Sequence, residues 1–173
     1  VGQAMIGRLW IPQLDVYDAV RRIGGLLGLW QGENMSSAER LLIMDFFLAN
    51  PPLLHKTHMP QQVRKRFSAL GVPRPEQSFL SFPSPQILFQ KMDEVQRQAF
   101  RTLSGKGLIE LTDLEGGNVA PSEEGRRIFQ EEFLPLFSES ELQVGEFLVD
   151  HYAPRSRAIS EIRQSTGLRR LVK

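Results

Sequence analysis

The chain has no cysteine, which excludes disulfides, thiolate metal sites and cysteine nucleophiles and agrees with a reducing compartment. Charge of one sign is missing as well. Lys and Arg total 21 against 20 Asp and Glu, a net of +1, so no global field draws the chain to a polyanion and a nucleic-acid contact has to come from a local patch. The longest apolar runs, residues 23–30 and 40–49, are too short and too interrupted to span a bilayer. The first residues show no basic segment followed by an apolar core and a small-residue cleavage site, so the expected location is the cytoplasm, without membrane contact. No G-x-S-x-G elbow, P-loop or dinucleotide fingerprint occurs, and neither an enzyme nor a cofactor is expected. At 173 residues, 41% hydrophobic and 24% charged, what remains has the balance of one globular domain, or a small domain with helical extensions.

Within that frame, residues 98–125 are the most informative. Gln98-Ala99-Phe100-Arg101-Thr102-Leu103-Ser104 reads as the end of a helix, and Gly105 and Gly107 as its stop. A short strand over residues 108–112, a Glu115-Gly116-Gly117 turn and a second strand over 118–120 follow, before Pro121-Ser122-Glu123-Glu124 opens a new helix. This is the order of parts in a winged helix. The expected fold is therefore mainly α with a small β-hairpin: a winged helix-turn-helix core over residues 36–130, flanked by helical extensions over 1–35 and 131–173.

The remaining punctuation fills in the helices. Residues 14–27 carry apolar side chains near helical spacing, with Gly24, Gly25 and Gly28 weakening the last turns, and read as a helix outside the core. Ser36 and Glu39 form a capping-box pattern that opens an apolar helix, which must stop before Pro51-Pro52. Residues 61–70 place Val63, Phe67 and Leu70 on one face, with Gly71 as terminator. One long helix is expected from Ser84-Pro85 to about Ser104, with Leu88, Met92, Val95, Ala99 and Leu103 inward. Ile128, Phe129, Phe133 and Leu136 are the expected buried residues of the helix after the hairpin. Ser138 and Glu141 make a second capping box, and a short helix is expected over 159–165.

Candidate sites conflict with one another. A winged helix that reads a duplex presents Arg, Lys, Asn or Gln on its third helix and at the hairpin tip. Here Lys91, Arg97 and Arg101 are mixed with Asp93 and Glu94, while residues 110–118 contain Glu110, Asp113 and Glu115 and no Lys or Arg. Carboxylates at a hairpin tip are repelled by phosphate. The surviving candidate for nucleic-acid contact is Arg64, Lys65 and Arg66, with Lys56 and Arg74 near in sequence; the same residues also fit the solvated face of an ordinary helix. His55 and His58 are spaced for a metal only if further ligands lie nearby, and a loop with two ordinary histidines fits them better. Apolar surplus is more suggestive. Trp10, Ile11, Tyr17, Trp30, Phe79 and Phe82 lie outside the expected core and are candidate anchors for a partner chain, unless the flanking helices cover them.

Residues 8–23 (Arg8-Leu9-Trp10-Ile11-Pro12-Gln13-Leu14-Asp15-Val16-Tyr17-Asp18-Ala19-Val20-Arg21-Arg22-Ile23), residues 39–51 (Glu39-Arg40-Leu41-Leu42-Ile43-Met44-Asp45-Phe46-Phe47-Leu48-Ala49-Asn50-Pro51) and the hairpin segment 105–125 together carry a further signal. In these stretches the chain resembles the small middle components of three-component ABC ATPase systems, the Lamassu-type bacterial defence modules. That resemblance implies a non-catalytic subunit that bridges an SMC-like ABC ATPase, with its coiled coil, to an effector that is often a nuclease subunit, with DNA engaged through the complex. It supplies no catalytic residue to carry over. The alternative is a dimeric winged-helix transcription regulator that binds duplex DNA through Arg64, Lys65 and Arg66.

Overall fold

Asp15 accepts hydrogen bonds from the backbone N–H of Tyr17 and Asp18 and starts helix α1, Val16–Leu29, behind a short 3-10 turn, Pro12–Leu14. The computed structural model describes residues 11–30, 36–77, 84–111 and 117–169. In it α1 is not an appendage. Ala19, Ile23, Leu26 and Leu27 are buried in one core together with residues of later helices, so this helix packs into the core. The reason lies in the three glycines. A Cβ on Gly24 would sit 2.0 Å from the Phe133 ring, one on Gly25 2.2 Å from the Phe137 ring, and one on Gly28 2.7 Å from the Phe129 carbonyl oxygen. Read along the chain, they weaken a helix; in space they are the flat face on which the aromatic segment after the hairpin rests.

Helix α2, Ala38–Ala49, is mostly apolar, and residues 40–48, Arg40 and Asp45 included, are all buried. Its cap differs from expectation. Ser36 and Ser37 form a short strand, β1, which pairs with residues 118 and 119. The capping role passes to Ser37, whose hydroxyl accepts from the Arg40 N–H. Glu39, freed from a box, pairs instead with Arg163. Pro51 and Pro52 then open a 3-10 turn, Pro51–Lys56, and α3, Gln61–Ala69, follows with Phe67 buried. Gly71, at φ +67°, takes the left-handed turn that ends it.

The long helix expected up to residue 104 is two: α4, Pro85–Lys91, and α5, Asp93–Gly105, separated at Met92, where ψ flattens to −8°. Met92 still donates to the Leu88 carbonyl, and Gln96 to that of Met92, so the axis is interrupted but not abandoned. Gly107, at φ +72°, turns the chain into β2, Ile109–Leu111, and β3, Asn118–Pro121, returns antiparallel with Leu111 opposite Val119. The sheet order is β1-β3-β2, so the strand ahead of α2 sews the two ends of the core together. Asp113 and Glu115 lie outside the described residues.

Ser122 caps α6, Glu123–Ile128, which loosens into a π-helical turn, Phe129–Phe133, and a 3-10 turn, Leu134–Leu136. Phe129 is buried as expected, whereas Leu136 is 59% exposed, a correction. The widened turn aims Phe133 and Phe137 at the α1 glycines and leaves Leu136 pointing away. The Ser138 and Glu141 capping box is present in full at the start of α7, Glu139–Phe147, which likewise passes into a π turn, Leu148–Tyr152. Helix α8, Ile159–Thr166, follows. The described part is thus mainly helical with one small antiparallel sheet. Among its helices none is long and apolar enough to cross a membrane.

Arg40 holds the C-terminal end in place. Its buried guanidinium donates to the carbonyls of Ala153, Pro154 and Arg157 at 3.1, 2.8 and 2.6 Å, the kind of cation the carbonyl end of a helix favours. Burial and then Arg157 lower its pKa. Arg40→Ala would leave three carbonyls without this donor, and a loss of about 2–3 kcal/mol is expected in urea unfolding.

Candidate functional site

The surface that would read a duplex in a winged helix is α5 and the hairpin. Helix α5 buries Gln96, Ala99, Phe100 and Leu103 inward, so only its outer face is free. On that face the Arg97 Nε lies 3.0 Å from the Asp93 carboxylate, one turn earlier, and Arg101 lies 3.6 Å from Glu94. Each arginine is therefore accompanied by an acid of its own helix, and Glu110 is exposed on β2. A field of this kind is close to neutral and does not concentrate a polyanion.

The basic cluster on α3 is divided by the fold. Arg64 is half-buried and donates to the Thr57 carbonyl at 2.6 Å, an internal tie rather than a free cation. Lys65 and Arg66 are exposed, as are Lys56 and Arg74. His55 packs edge-on against Phe67 and donates to the Val72 carbonyl at 2.7 Å, while His58 is exposed. The two imidazoles are thus turned to different environments.

Of the candidate anchors, Tyr17 is 87% and Ile11 50% exposed, and Leu14 joins them at 40%. Trp30 is half-buried and packs against the core, so its ring is partly accounted for by the fold itself. Trp10, Phe79 and Phe82 lie outside the described residues.

Arg66 belongs to a feature that the sequence did not suggest, an open groove of about 360 Å³ between α3 and α7. Ala69, Leu70 and Phe147 form its apolar part, Arg66 lines it from α3, and Gln143, Glu146, Asp150 and His151 line it from α7 and its continuation. Glu146 and Asp150 are outward residues of a helix otherwise notable for its buried stripe of Val144, Phe147 and Leu148. Their spacing of four was the one available signal. Nothing local pairs them with residue 66.

Nearer α1, Arg21 grips Glu141 at the start of α7 with two hydrogen bonds, 3.0 and 2.8 Å. Burial alone would raise the Glu141 carboxyl, but Arg21 and the Ser138 backbone N–H hold it below its ordinary value of 4.5. A carboxylate depressed in the folded state stabilises above its unfolded pKa, and that contribution fades as pH falls through the folded one. Stability should therefore decline as pH drops below 4.5. Glu141→Gln should remove that component, as read by denaturant midpoints on either side of the transition; an unchanged acid slope would refute the assignment.

No curated protein and no solved structure matches this chain. The family described as ABC-three component (ABC-3C) system Middle Component 5 matches residues 8–169, a span that takes in all of the described helices and both surfaces above. The chain belongs to this family of middle components of ABC-three component systems.

Proposed function

We propose that the chain is a non-catalytic adaptor that docks on the SMC-like ABC ATPase of its system and couples sensing of foreign DNA to an effector, commonly a nuclease. The order of α5, Gly107, β2, β3 and α6 supports reading the centre of the chain as a winged helix whose outer face meets polypeptide. One observation carries the choice: on α5 Arg97 is engaged by Asp93 and Arg101 is accompanied by Glu94. A helix that reads a major groove needs its cations for phosphate and base edges.

Co-expression with the ATPase component of the same system tests this. The two are expected to elute together in size-exclusion chromatography, and separate elution would remove the reading. In parallel, duplex DNA is expected to bind no more tightly than the non-specific range, a Kd of about 10⁻⁶ M or weaker at physiological salt. Sequence-specific retention of a promoter at roughly nanomolar affinity would favour the transcription regulator instead.

A further inference from the structure

The groove between α3 and α7 has the form of a missing helix. Its lining residues recur at helical intervals: Arg66, Ala69 and Leu70 on one wall, Gln143, Glu146, Phe147, Asp150 and His151 on the other. Residues three and four apart lie on one side of a helix, so each wall presents a continuous stripe, and two such stripes side by side are the seat that a third helix fills in helix-in-groove recognition. The accessible apolar surface comes from Ala69, exposed, and Leu70, half-buried, next to Phe147, which is 3% exposed. The two walls also differ in sign, with one cation on α3 and two carboxylates on α7 and its continuation, all exposed, the half-buried His151 imidazole lying beside the carboxylates. Among the described residues these three charges have no ion-pair partner, even though they face one groove.

Charge complementarity then defines the occupant. A phosphate backbone laid along the groove would meet two carboxylates for every guanidinium and be repelled. A small anion would meet the same carboxylates. A helix with different edges satisfies both walls at once, in the way flanking charges choose partner and orientation in paired helices. We propose that this groove binds an amphipathic helix of the ATPase component of the system, with an apolar seam, Lys or Arg along the edge facing α7, and a carboxylate on the edge facing Arg66. Placing that helix on the ATPase component rests on the adaptor reading, whereas its charge pattern follows from the groove alone.

The test uses the full chain and two synthetic helical peptides. One has a leucine seam with lysines along one edge and glutamate on the other; its twin has the lysine edge replaced by glutamates. In fluorescence anisotropy the wild type should prefer the lysine-edged peptide by about tenfold or more, because like charges juxtaposed across an interface are costly. In E146K/D150K, whose replaced residues are exposed and leave the core untouched, the preference should invert. Equal affinities in the wild type, an unchanged preference in the variant, or displacement of the peptide by duplex DNA would each overturn the proposal.

Co-purification with the ATPase separates the two readings. If the wild type retains the ATPase and E146K/D150K loses it while E123K/E124K does not, the groove is supported. If all three retain it, the adaptor stands and the groove proposal falls. If even the wild type fails to retain it, the adaptor reading falls, and the peptide preference alone decides the groove.

Discussion

Asp45→Ala is expected to remove about 3–5 kcal/mol of stability, a large part of the roughly 5–15 kcal/mol that holds an ordinary domain folded. Asp45 has no exposed surface, and its carboxylate accepts from the Arg22 Nε at 2.7 Å and from the Gln96 side chain at 2.9 Å. Arg22, itself 1% exposed, also donates to Asp18 at 2.6 Å and to the Pro12 carbonyl at 3.1 Å. Five polar groups from α1, α2, α5 and the first turn therefore satisfy one another, with Arg22, Asp45 and Gln96 buried at the centre. Burial opposes the Arg22 charge, yet Asp45 and Asp18 together hold its pKa above the ordinary value. Deleting Asp45 leaves the guanidinium buried with only Asp18 opposite, and orphans one hydrogen bond of Gln96, which keeps its bond to the Leu42 carbonyl.

The comparison that decides the mechanism is a double variant. Arg22→Met with Asp45→Leu removes both charges and refills the space, and replacing a buried pair by apolar residues is often neutral or stabilising. It is therefore expected to unfold at a higher urea concentration than Asp45→Ala alone. A double variant that is less stable than the single one would show that the pair contributes net attraction and that the cost of an abandoned charge is secondary. A single variant losing less than about 1 kcal/mol would refute the buried network altogether.

These residues also show what the sequence could and could not disclose. Signals confined to a few neighbours were legible. The Ser138 and Glu141 box, the Ser122 cap, the stop at Gly107 and the end of α2 before Pro51 all depend on backbone groups within one turn. Arg22 and Asp45, by contrast, are 23 positions apart, and nothing in their local context shows that each removes the other's desolvation cost. Gly24, Gly25 and Gly28 misled for the same reason: helix propensity is local, whereas their contacts with Phe133, Phe137 and Phe129 come from a segment beyond the hairpin.

The candidate site divides along the same line. Exposure of Lys65 and Arg66 was legible from the position of Phe67 on the opposite face, whereas the sequence left open whether Tyr17 is covered. Arg64 was not, since its tie to the Thr57 carbonyl depends on how the loop before α3 folds back. The groove was invisible because its acidic wall belongs to α7 and its basic wall to α3, joined only by tertiary packing.

Gly125→Ala sets two effects of opposite sign against each other, and their magnitudes decide the outcome. As a helical residue of α6, Gly125 should gain about 0.5–1 kcal/mol on becoming alanine. A Cβ there, however, would lie 2.0 Å from the Leu108 carbonyl oxygen and 2.9 Å from its carbon, far inside any van der Waals contact. Neither side can yield easily. The Leu108 oxygen is held by the Ser122 N–H at 2.9 Å, and the Ser122 hydroxyl accepts from the Gly125 N–H at 3.0 Å while donating to the Gly107 carbonyl at 2.7 Å. The first turn of α6 is thus bound to the chain entering β2, and forcing them apart breaks the cap as well as the packing. Overpacking of this kind costs about 1–3 kcal/mol where the core can adjust and more where backbone is the obstacle. The net expectation is a loss near 3 kcal/mol, which lowers the unfolding temperature of a chain this size by about 6–12 °C. Gly105→Ala is the internal control: at the last residue of α5 its Cβ would meet nothing within 4 Å, so the propensity term acts alone and the change should be neutral or slightly stabilising. If both variants unfold at the wild-type temperature, α6 does not rest on Leu108, and the junction that fixes the hairpin against the core has been misplaced.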